Sequence, residues 1–292
     1  MKRAMYAMIF GVFMNAIFDP VFIYVFGWGS AGAALATVFS SILSAALILY
    51  WILIKKDTYV DVHFRQFKFD PKIAKTILEV GIPGSLDMFI MSLAISMYLV
   101  FISAVGGDYG VAVFTSGQRL YLLGIMPLSA IGAAIVAVVG SAYGAKNGEY
   151  ISRAHKYGVK FALVLGFIIT FCLVVFSNQL AYIFAYTPQT AHLIPGIASF
   201  LQVASLGLAF VGIGMPSTFL YQGLGKGTTS LFWTIVREII FAVPLTYLFG
   251  IMLNWGLIGI WTGLAIGRTL ASFLNYGFAR YTIKKIRKEL GT

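Results

Sequence analysis

Eight stretches of the chain are almost continuously apolar, and short polar segments separate them. Each stretch has about 20 to 30 residues, and none alternates between apolar and polar positions as a half-buried strand would. A helix of about 20 apolar residues crosses the ~30 Å hydrocarbon layer of a bilayer. The pattern therefore predicts an all-α integral membrane protein with eight transmembrane helices. The predicted spans are residues 4–26, 31–54, 82–105, 110–140, 157–177, 191–215, 229–250 and 256–279.

The composition excludes other classes of protein. Of the 292 residues, 60% are hydrophobic and 11% are charged, whereas soluble domains have about 45–50% apolar and 25% charged residues. Because a soluble chain of this size could not bury such a surplus, a cytoplasmic globular enzyme and a disordered chain are both excluded. Residues 1–26 begin like a signal peptide, with Lys2 and Arg3, but the apolar run is too long and contains Asn15 and Asp19. We therefore expect a retained span.

The basic residues lie on alternate connections. The chain has a formal net charge of +11, and 18 of its 21 Lys and Arg residues fall at the N-terminus, after the second, fourth and sixth spans, and at the C-terminus. The other connections contain none. The positive-inside rule then predicts a multi-pass protein of the plasma membrane with both termini in the cytoplasm. The charge thus indicates contact with membrane lipids rather than with nucleic acid.

Few residues could support metal or covalent chemistry. Cys172 is the single cysteine, which excludes a disulfide framework and a thiolate cluster. The three histidines, His63, His155 and His192, are scattered and form no HExxH pair. The spans contain no Ser/His, paired-Asp or metal constellation, so an intramembrane enzyme is disfavoured and no resident cofactor is expected.

One short motif occurs twice. Trp28-Gly29-x-x-Gly32 follows the first span, and Trp255-Gly256-x-x-Gly259 follows the seventh span, near the other end of the chain. Both motifs follow a helix that contains proline, so the two hairpins are predicted to be equivalent parts of a repeat. Residues 1–54 would then be the last two helices of an incomplete first lobe. Residues 55–80 would be a cytoplasmic linker with an interfacial helix from Asp70 to Val80, and residues 81–292 a complete six-helix second lobe. On this hypothesis four helices are missing before Met1, from a protein of roughly 430 residues.

Polar residues inside the first two spans could bind a cation. Asn15 and Asp19 are four residues apart and share one helix face. Asp19 and Thr37 are both predicted roughly 10 Å below the outer surface. An intramembrane carboxylate beside an amide and a hydroxyl suits sodium or a proton. The alternative is that Asp19 and Pro20 only shape the helix, with Asp19 bonded to Asn15 or Thr37.

Further polar residues are candidates for a substrate cavity: Asp87, Gln118, Arg119 and Arg237. Asp87 is predicted near the start of a helix, where the dipole favours a carboxylate, or else in the cavity. Arg119 either lines the cavity or is buried against loop carbonyls. Arg237 and Glu238 are adjacent and need not pair, since neighbours on a helix point about 100° apart.

Two arginines have other expectations. Arg237 could also extend to the inner surface, and Arg268 is expected to find an acid or carbonyl groups on another helix.

Several segments in order along the chain resemble the multidrug and toxic compound extrusion (MATE) family of secondary transporters. They cover nearly its whole length. The segments are Asn15 to Pro20, Gly32 to Thr37, Gly81 to Pro83, Pro127 to Gly140, Tyr143 to Asn147, Gln222 to Gly225, Arg237 to Pro244 and Gly256 to Trp261.

The resemblance implies twelve helices in two six-helix lobes, with Met1 at the fifth helix. In one branch of the family, residues matching Asn15, Asp19 and Thr37, with the backbone carbonyl matching Ala33, bind the coupling cation. That site also needs an aspartate on the first helix, which this chain lacks. Met91 stands where other branches carry a deeper carboxylate, which puts a second cation site in doubt.

The implied function is an antiporter that exports lipophilic, often cationic small molecules, coupled to sodium or protons, with no metal other than a possible sodium ion at Asp19. The alternatives are a lipid-linked oligosaccharide flippase of related fold and an inactive truncated remnant.

Overall fold

A computed structural model describes residues 2–55 and 70–291. In this part of the chain the protein is all-helical, with 92% helix and no strands. The predicted fold class of an all-α integral membrane protein is therefore confirmed. The chain divides into two compact units, Met1–Asp70 and Pro71–Thr292.

The first unit is a hairpin of two helices that continue into π-helical turns. Their bounds are α1 Lys2–Pro20 with its turn Val21–Val25, and α2 Gly29–Leu49 with its turn Tyr50–Ile54.

Small residues let the two helices of the hairpin approach closely. Ala7 and Ala36 are fully buried in the contact, and Ser44 Oγ donates a hydrogen bond to the Ala7 carbonyl at 2.8 Å. A Cβ atom on Gly32 would lie 2.6 Å from the Phe22 carbonyl oxygen. The remaining faces carry exposed large apolar side chains, as expected for surfaces in contact with lipid.

The second unit contains eight further helices. Their bounds are α3 Pro71–Gly144, α4 Gly148–Val175, α5 Ser177–Phe184, α6 Ile194–Ala204, α7 Leu206–Gly223, α8 Gly227–Ile235, α9 Val243–Tyr247 and α10 Gly256–Leu290. A 3₁₀ turn, Ala191–Leu193, precedes α6, and π-helical segments Val236–Ala242 and Leu248–Met252 flank α9.

Six of the described helices are long and apolar enough to cross a membrane, or seven if the bent pair of α6 and α7 is one span. The exact number of eight is not confirmed by this criterion, because α3 is continuous over 74 residues apart from a break at Gly107, where φ is 55° and ψ is −150°.

Three details differ from the sequence prediction. The helix that begins at Pro71 continues past residue 80 into the next span, so it is not a separate interfacial helix. The sixth predicted span bends by 44° at Ser205. The predicted connection 178–190 contains most of α5. An apolar pattern gives the extent of a span but not its bends or its continuation beyond the membrane.

The core of the second unit is built around aromatic side chains. Trp261 on α10 is 1% exposed and lies parallel to Phe114, with ring centroids 5.9 Å apart. Phe200 on α6 meets the same indole edge to face at 4.9 Å. These contacts join the part of α3 after the break at Gly107 to α6 and α10. They hold together the helices that carry the polar residues of this unit.

The repeated motif has the same local geometry in both copies. The π-helical turn Val21–Val25 before the first motif corresponds to Leu248–Met252 before the second. The N–H of Trp28 donates to the Phe22 carbonyl at 3.1 Å, and the N–H of Trp255 donates to the Phe249 carbonyl at 3.2 Å. The two motifs therefore share the same π-helical turn and the same backbone hydrogen bond, as equivalent hairpins would.

Candidate functional site

The first candidate site lies on α1 at the pair predicted from the four-residue spacing. Asn15 Nδ2 donates to Asp19 Oδ1 at 3.4 Å, and both side chains are half-buried. The adjacent Pro20 is the last residue of α1, where a π-helical turn takes over. The amide therefore holds one carboxylate oxygen on the helix face where the sequence placed the two residues.

Thr37 and Ala33 form a second pair on α2. Thr37 Oγ1 donates to the Ala33 carbonyl oxygen at 3.1 Å, and Thr37 is exposed on this unit. The hydroxyl therefore keeps its lone pairs for a further ligand, while the carbonyl oxygen has a second acceptor site. Among the described residues, Asp19 is bonded to Asn15 and has no hydrogen bond to Thr37. The contact with Asn15 is one that the alternative of a purely structural Asp19 also predicts.

The register of the hairpin brings the two pairs to one side. The contacts of Phe22 with α2 and of Ser44 with α1 set Asn15 and Asp19 opposite the segment of α2 that carries Ala33 and Thr37. Each helix has a buried face toward the other helix, which includes Ala7 on α1 and Ala36 on α2. At about 100° per residue, both polar pairs are rotated from this buried face in the same direction, as seen along their own helix. Because the helices are antiparallel, this rotation turns both pairs toward the same side of the hairpin.

The arrangement offers oxygen atoms of the kind that hard cations prefer. It combines one carboxylate with an amide, a hydroxyl and a backbone carbonyl, and no group of three or more His, Cys, Asp and Glu side chains occurs in the described part of the chain. A single carboxylate with neutral oxygens can take up a proton or a monovalent cation, but it does not provide the donor set of a transition-metal site.

Asp87 lies in the second unit, and its predicted position near a helix N-terminus is wrong. Because α3 begins at Pro71, Asp87 lies more than four turns inside the helix. It is half-buried, and Ser230 Oγ, which also accepts from Gln222 Nε2 at 3.1 Å, donates to Asp87 Oδ2 at 3.5 Å. Asp87 Oδ1 is buried without a hydrogen-bond partner among the described groups.

Glu238 is the centre of a buried ionic cluster that the sequence analysis missed. Its side chain is 1% exposed, and Oε1 accepts from Arg237 Nε at 2.9 Å. Oε2 accepts from Tyr98 Oη at 2.9 Å and from an Arg268 terminal nitrogen at 3.2 Å. The expectation for Arg268 is confirmed, whereas the expectation that Arg237 and Glu238 need not pair is wrong, because their long side chains converge although their Cβ atoms diverge.

Arg237 does not extend freely to the membrane surface. Its guanidinium also contacts the Met91 sulfur at 3.4 Å, and its side chain is largely buried. The Arg268 guanidinium carbon lies 5.9 Å from the centre of the Tyr121 ring, a cation–π contact. An acidic residue inside an apolar run was the available signal for this cluster, since such a residue requires a partner.

Gln118 and Arg119 lie in the part of α3 that follows the break at Gly107. Gln118 is half-buried and Arg119 is exposed on the surface of the unit, so the alternative of a buried Arg119 bonded to loop carbonyls is wrong. Within the described part of the chain, neither residue has a hydrogen bond or ion pair with Asp87 or Arg237. The structure therefore does not bring the four candidate cavity residues into one cluster.

Apolar helices that carry partly buried carboxylates, amides and guanidinium groups are typical of integral membrane proteins whose intramembrane polar groups have a function. The model of the MatE family matches residues 83–248, more than half of the chain. The chain belongs to the MatE family.

Relatives and solved structures agree with this assignment. The chain is 23% identical to the "Probable multidrug resistance protein YoeA" of Bacillus subtilis, over 97% of the chain and 62% of the relative. It is 25% identical to the "Probable multidrug resistance protein NorM" of Thermotoga maritima, over 86% and 54%. A crystal structure of MATE in complex with MaL6 is 36% identical with a TM-score of 0.95, over 98% of the chain and 64% of that structure. The chain thus spans 54–64% of the length of these three proteins.

Proposed function

We propose that this chain contributes most of a cation-coupled antiporter that exports lipophilic, often cationic small molecules. The observation that supports the proposal is the half-buried Asp19 carboxylate, bonded to Asn15 in an apolar helix, together with the bonded pair Thr37 and Ala33 on the neighbouring helix. A carboxylate inside an apolar segment is costly and is usually functional. The printed names of the relatives, which include a "Multidrug export protein MepA", support drugs as the substrate class.

The coupling ion would act by changing the charge of Asp19. A proton or a sodium ion bound beside Asn15 neutralises the carboxylate and lowers the cost of enclosing it. The empty site favours a state in which water reaches the carboxylate, and the occupied site favours a closed state. Differential affinity of the ion for the two states is the condition for coupling it to the movement of substrate.

The substrate path would involve the polar groups of the second unit. Asp87 Oδ1 lacks a hydrogen-bond partner among the described residues and so remains available to a cationic group. Gln118 and Arg119 would supply polar contacts at a separate point of the path, beyond the break at Gly107. Arg237 is held by Glu238 and would set the charge beside Asp87.

We further infer eight spans with both chain ends in the cytoplasm. A continuous helix of 74 residues would be about 110 Å long, more than three times the ~30 Å needed to cross the hydrocarbon layer. Dividing α3 at Gly107 gives two spans, and the bent pair α6–α7 gives one more. The 18 Lys and Arg residues outside the spans then all lie on one side.

Export of ethidium or norfloxacin from efflux-deficient cells tests the proposal. The chain would be expressed alone and with the reading frame extended upstream of Met1. We expect Asp19→Asn to abolish export at unchanged membrane abundance, because the amide can neither lose a proton nor attract sodium. The matched control Asp108→Asn changes an exposed carboxylate beside the break in α3 and should leave export intact.

Two results would contradict the proposal. Export that persists in Asp19→Asn removes the coupling role of this carboxylate. Export by neither form of the wild-type protein, at normal abundance, removes the transport function and favours an inactive remnant.

A further inference from the structure

A small cavity with an apolar wall and several polar side chains at its edge lies where the end of α7, the start of α8 and the last turns of α10 meet. It has a volume of about 200 Å³, the space of roughly seven water molecules. It is therefore large enough for a phosphate group with a short polar substituent. The residues of its wall that carry polar groups are Tyr221, Lys226, Thr229, Thr282, Lys285 and Glu289.

The charge around the cavity is positive. Lys226 and Lys285 lie in its wall, and Lys284 and Lys288 line an adjoining open depression of about 610 Å³. Glu289 borders both spaces. Four lysines and one glutamate give a local formal charge of +3, which favours an anionic ligand.

The start of α8 adds backbone donors to this charge. The helix begins at Gly227, with Lys226 at its N-cap and no side-chain cap. Thr229, in its first turn, lines the cavity. The N–H groups of Thr229 and Ser230 donate to the Lys226 carbonyl at 3.1 and 3.2 Å. The N–H groups of Gly227 and Thr228, at the positively polarised end of the helix, are the ones left for a phosphate.

Two buried donors next to the cavity have no partner. Tyr221 lines the cavity and is 0% exposed, and among the described residues its hydroxyl faces the side chains of Thr282 and Trp233 without reaching hydrogen-bonding geometry with either. The indole N–H of Trp233 is likewise buried and unpaired. Both rings pack against Phe278, at 6.2 and 5.7 Å between centroids. Buried polar groups are normally hydrogen-bonded, so unpaired donors beside a cationic cavity indicate a missing acceptor.

The position of the cavity along α10 indicates a ligand from the membrane. The predicted last span ends at residue 279, and the cavity wall extends along α10 from Phe278 to Glu289. Since a helix rises about 1.5 Å per residue, this segment reaches from the edge of the hydrocarbon layer through the headgroup region. Tyr281 is 65% exposed at the cavity mouth, as is typical of tyrosine at a membrane interface.

We propose that this cavity binds the phosphate of an anionic phospholipid headgroup. Lys226 and Lys285 neutralise the phosphate, the first turn of α8 donates backbone N–H groups, and the Tyr221 hydroxyl donates the hydrogen bond that it otherwise lacks. The acyl chains extend past Phe278 along the apolar part of α10. This site is independent of the proposed cation coupling and does not require that the chain transports anything.

The test measures lipid binding to the purified chain in detergent by native mass spectrometry, with phosphatidylglycerol and phosphatidylcholine as probes. We expect one phosphatidylglycerol to bind in preference to phosphatidylcholine. Lys226→Gln with Lys285→Gln should weaken its binding about 20- to 30-fold, from about 1 kcal/mol for each lysine. Tyr221→Phe, which removes one hydroxyl and no charge, should weaken it about 3- to 10-fold.

The control is Lys146→Gln with Lys156→Gln, which removes the same charge from two exposed lysines on another basic connection. Equal loss of binding in this control would show non-specific attraction and overturn the proposal. Competition by inorganic phosphate as strong as that by phosphatidylglycerol would identify a soluble ligand and overturn the assignment to lipid. Loss confined to the cavity variants, without such competition, supports it.

Discussion

Replacing Glu238 by glutamine should destabilise the second unit more than any exposed charge substitution. The carboxylate is 1% exposed and accepts three hydrogen bonds, from Tyr98, Arg237 and Arg268. It is the single acidic partner that the described contacts give to either arginine. Glu238→Gln keeps the size of the side chain but removes the carboxylate in direct contact with these two largely buried guanidinium groups, and leaves Arg237 with only the more distant charge of Asp87.

The expected loss in the free energy of unfolding can be estimated from these hydrogen bonds. Two charge-assisted hydrogen bonds contribute about 1.5–3 kcal/mol each, and the glutamine oxygen retains one neutral bond of about 1 kcal/mol. The net loss is about 2–5 kcal/mol, close to the 3–5 kcal/mol typical of removing one partner from a buried ion pair. A loss of about 3 kcal/mol lowers the folding equilibrium constant about 150-fold.

The measurement is a titration of the purified protein from mild detergent into SDS, followed by far-UV circular dichroism. Glu149→Gln is the matched control, because Glu149 pairs with Arg153 at a position where both side chains are more than half exposed. Such a pair contributes at most about 0.5 kcal/mol. Adding Arg268→Gln to Glu238→Gln should recover part of the loss, since one uncompensated charge is removed. Equal midpoints for Glu238→Gln and Glu149→Gln would refute the reasoning.

Two further predictions concern packing and topology. Gly259→Ala should lower stability by about 1–3 kcal/mol, because its Cβ would lie 2.3 Å from the Phe249 carbonyl oxygen, while Gly144→Ala, with nothing within 4 Å, should not; equal SDS midpoints for the two variants would contradict the close approach. In a Cys172→Ser background, Ala145→Cys should react with a membrane-impermeant maleimide in inverted vesicles but not in intact cells, and the opposite pattern would reverse the proposed orientation.

The sequence predicts the helical class and the proximity of Asn15 and Asp19, for a physical reason. Crossing a bilayer requires a long apolar run, and such runs are visible without tertiary information. The pair Asn15 and Asp19 was equally accessible, because a four-residue spacing on a helix fixes their proximity. Both features depend on local sequence alone.

The ionic cluster was not predictable in the same way. Glu238 lies 140 residues from Tyr98 and 30 residues from Arg268, and only the packing of three helices brings these groups together. The sequence showed that Arg268 needs a partner, but it did not determine whether that partner is an acidic side chain or a carbonyl group. The break at Gly107 lies in the predicted connection between the third and fourth spans and was therefore anticipated. The bend at Ser205 was missed, because it lies within a small-residue stretch that is compatible with a straight helix.

The two hairpins share a backbone geometry but carry different polar side chains at matching positions. When the two Trp-Gly motifs are aligned, Asn15 corresponds to Ala242 and Asp19 to Thr246. Thr246 is fully buried and donates to the Ala242 carbonyl at 2.6 Å, so its hydroxyl is satisfied by its own helix. Asp19 has only the 3.4 Å contact with Asn15 among the described contacts and remains half-buried. The same fold therefore provides a closed hydroxyl in one copy and an available carboxylate in the other, and we assign cation coupling to the first hairpin because its polar residues still have capacity for a ligand.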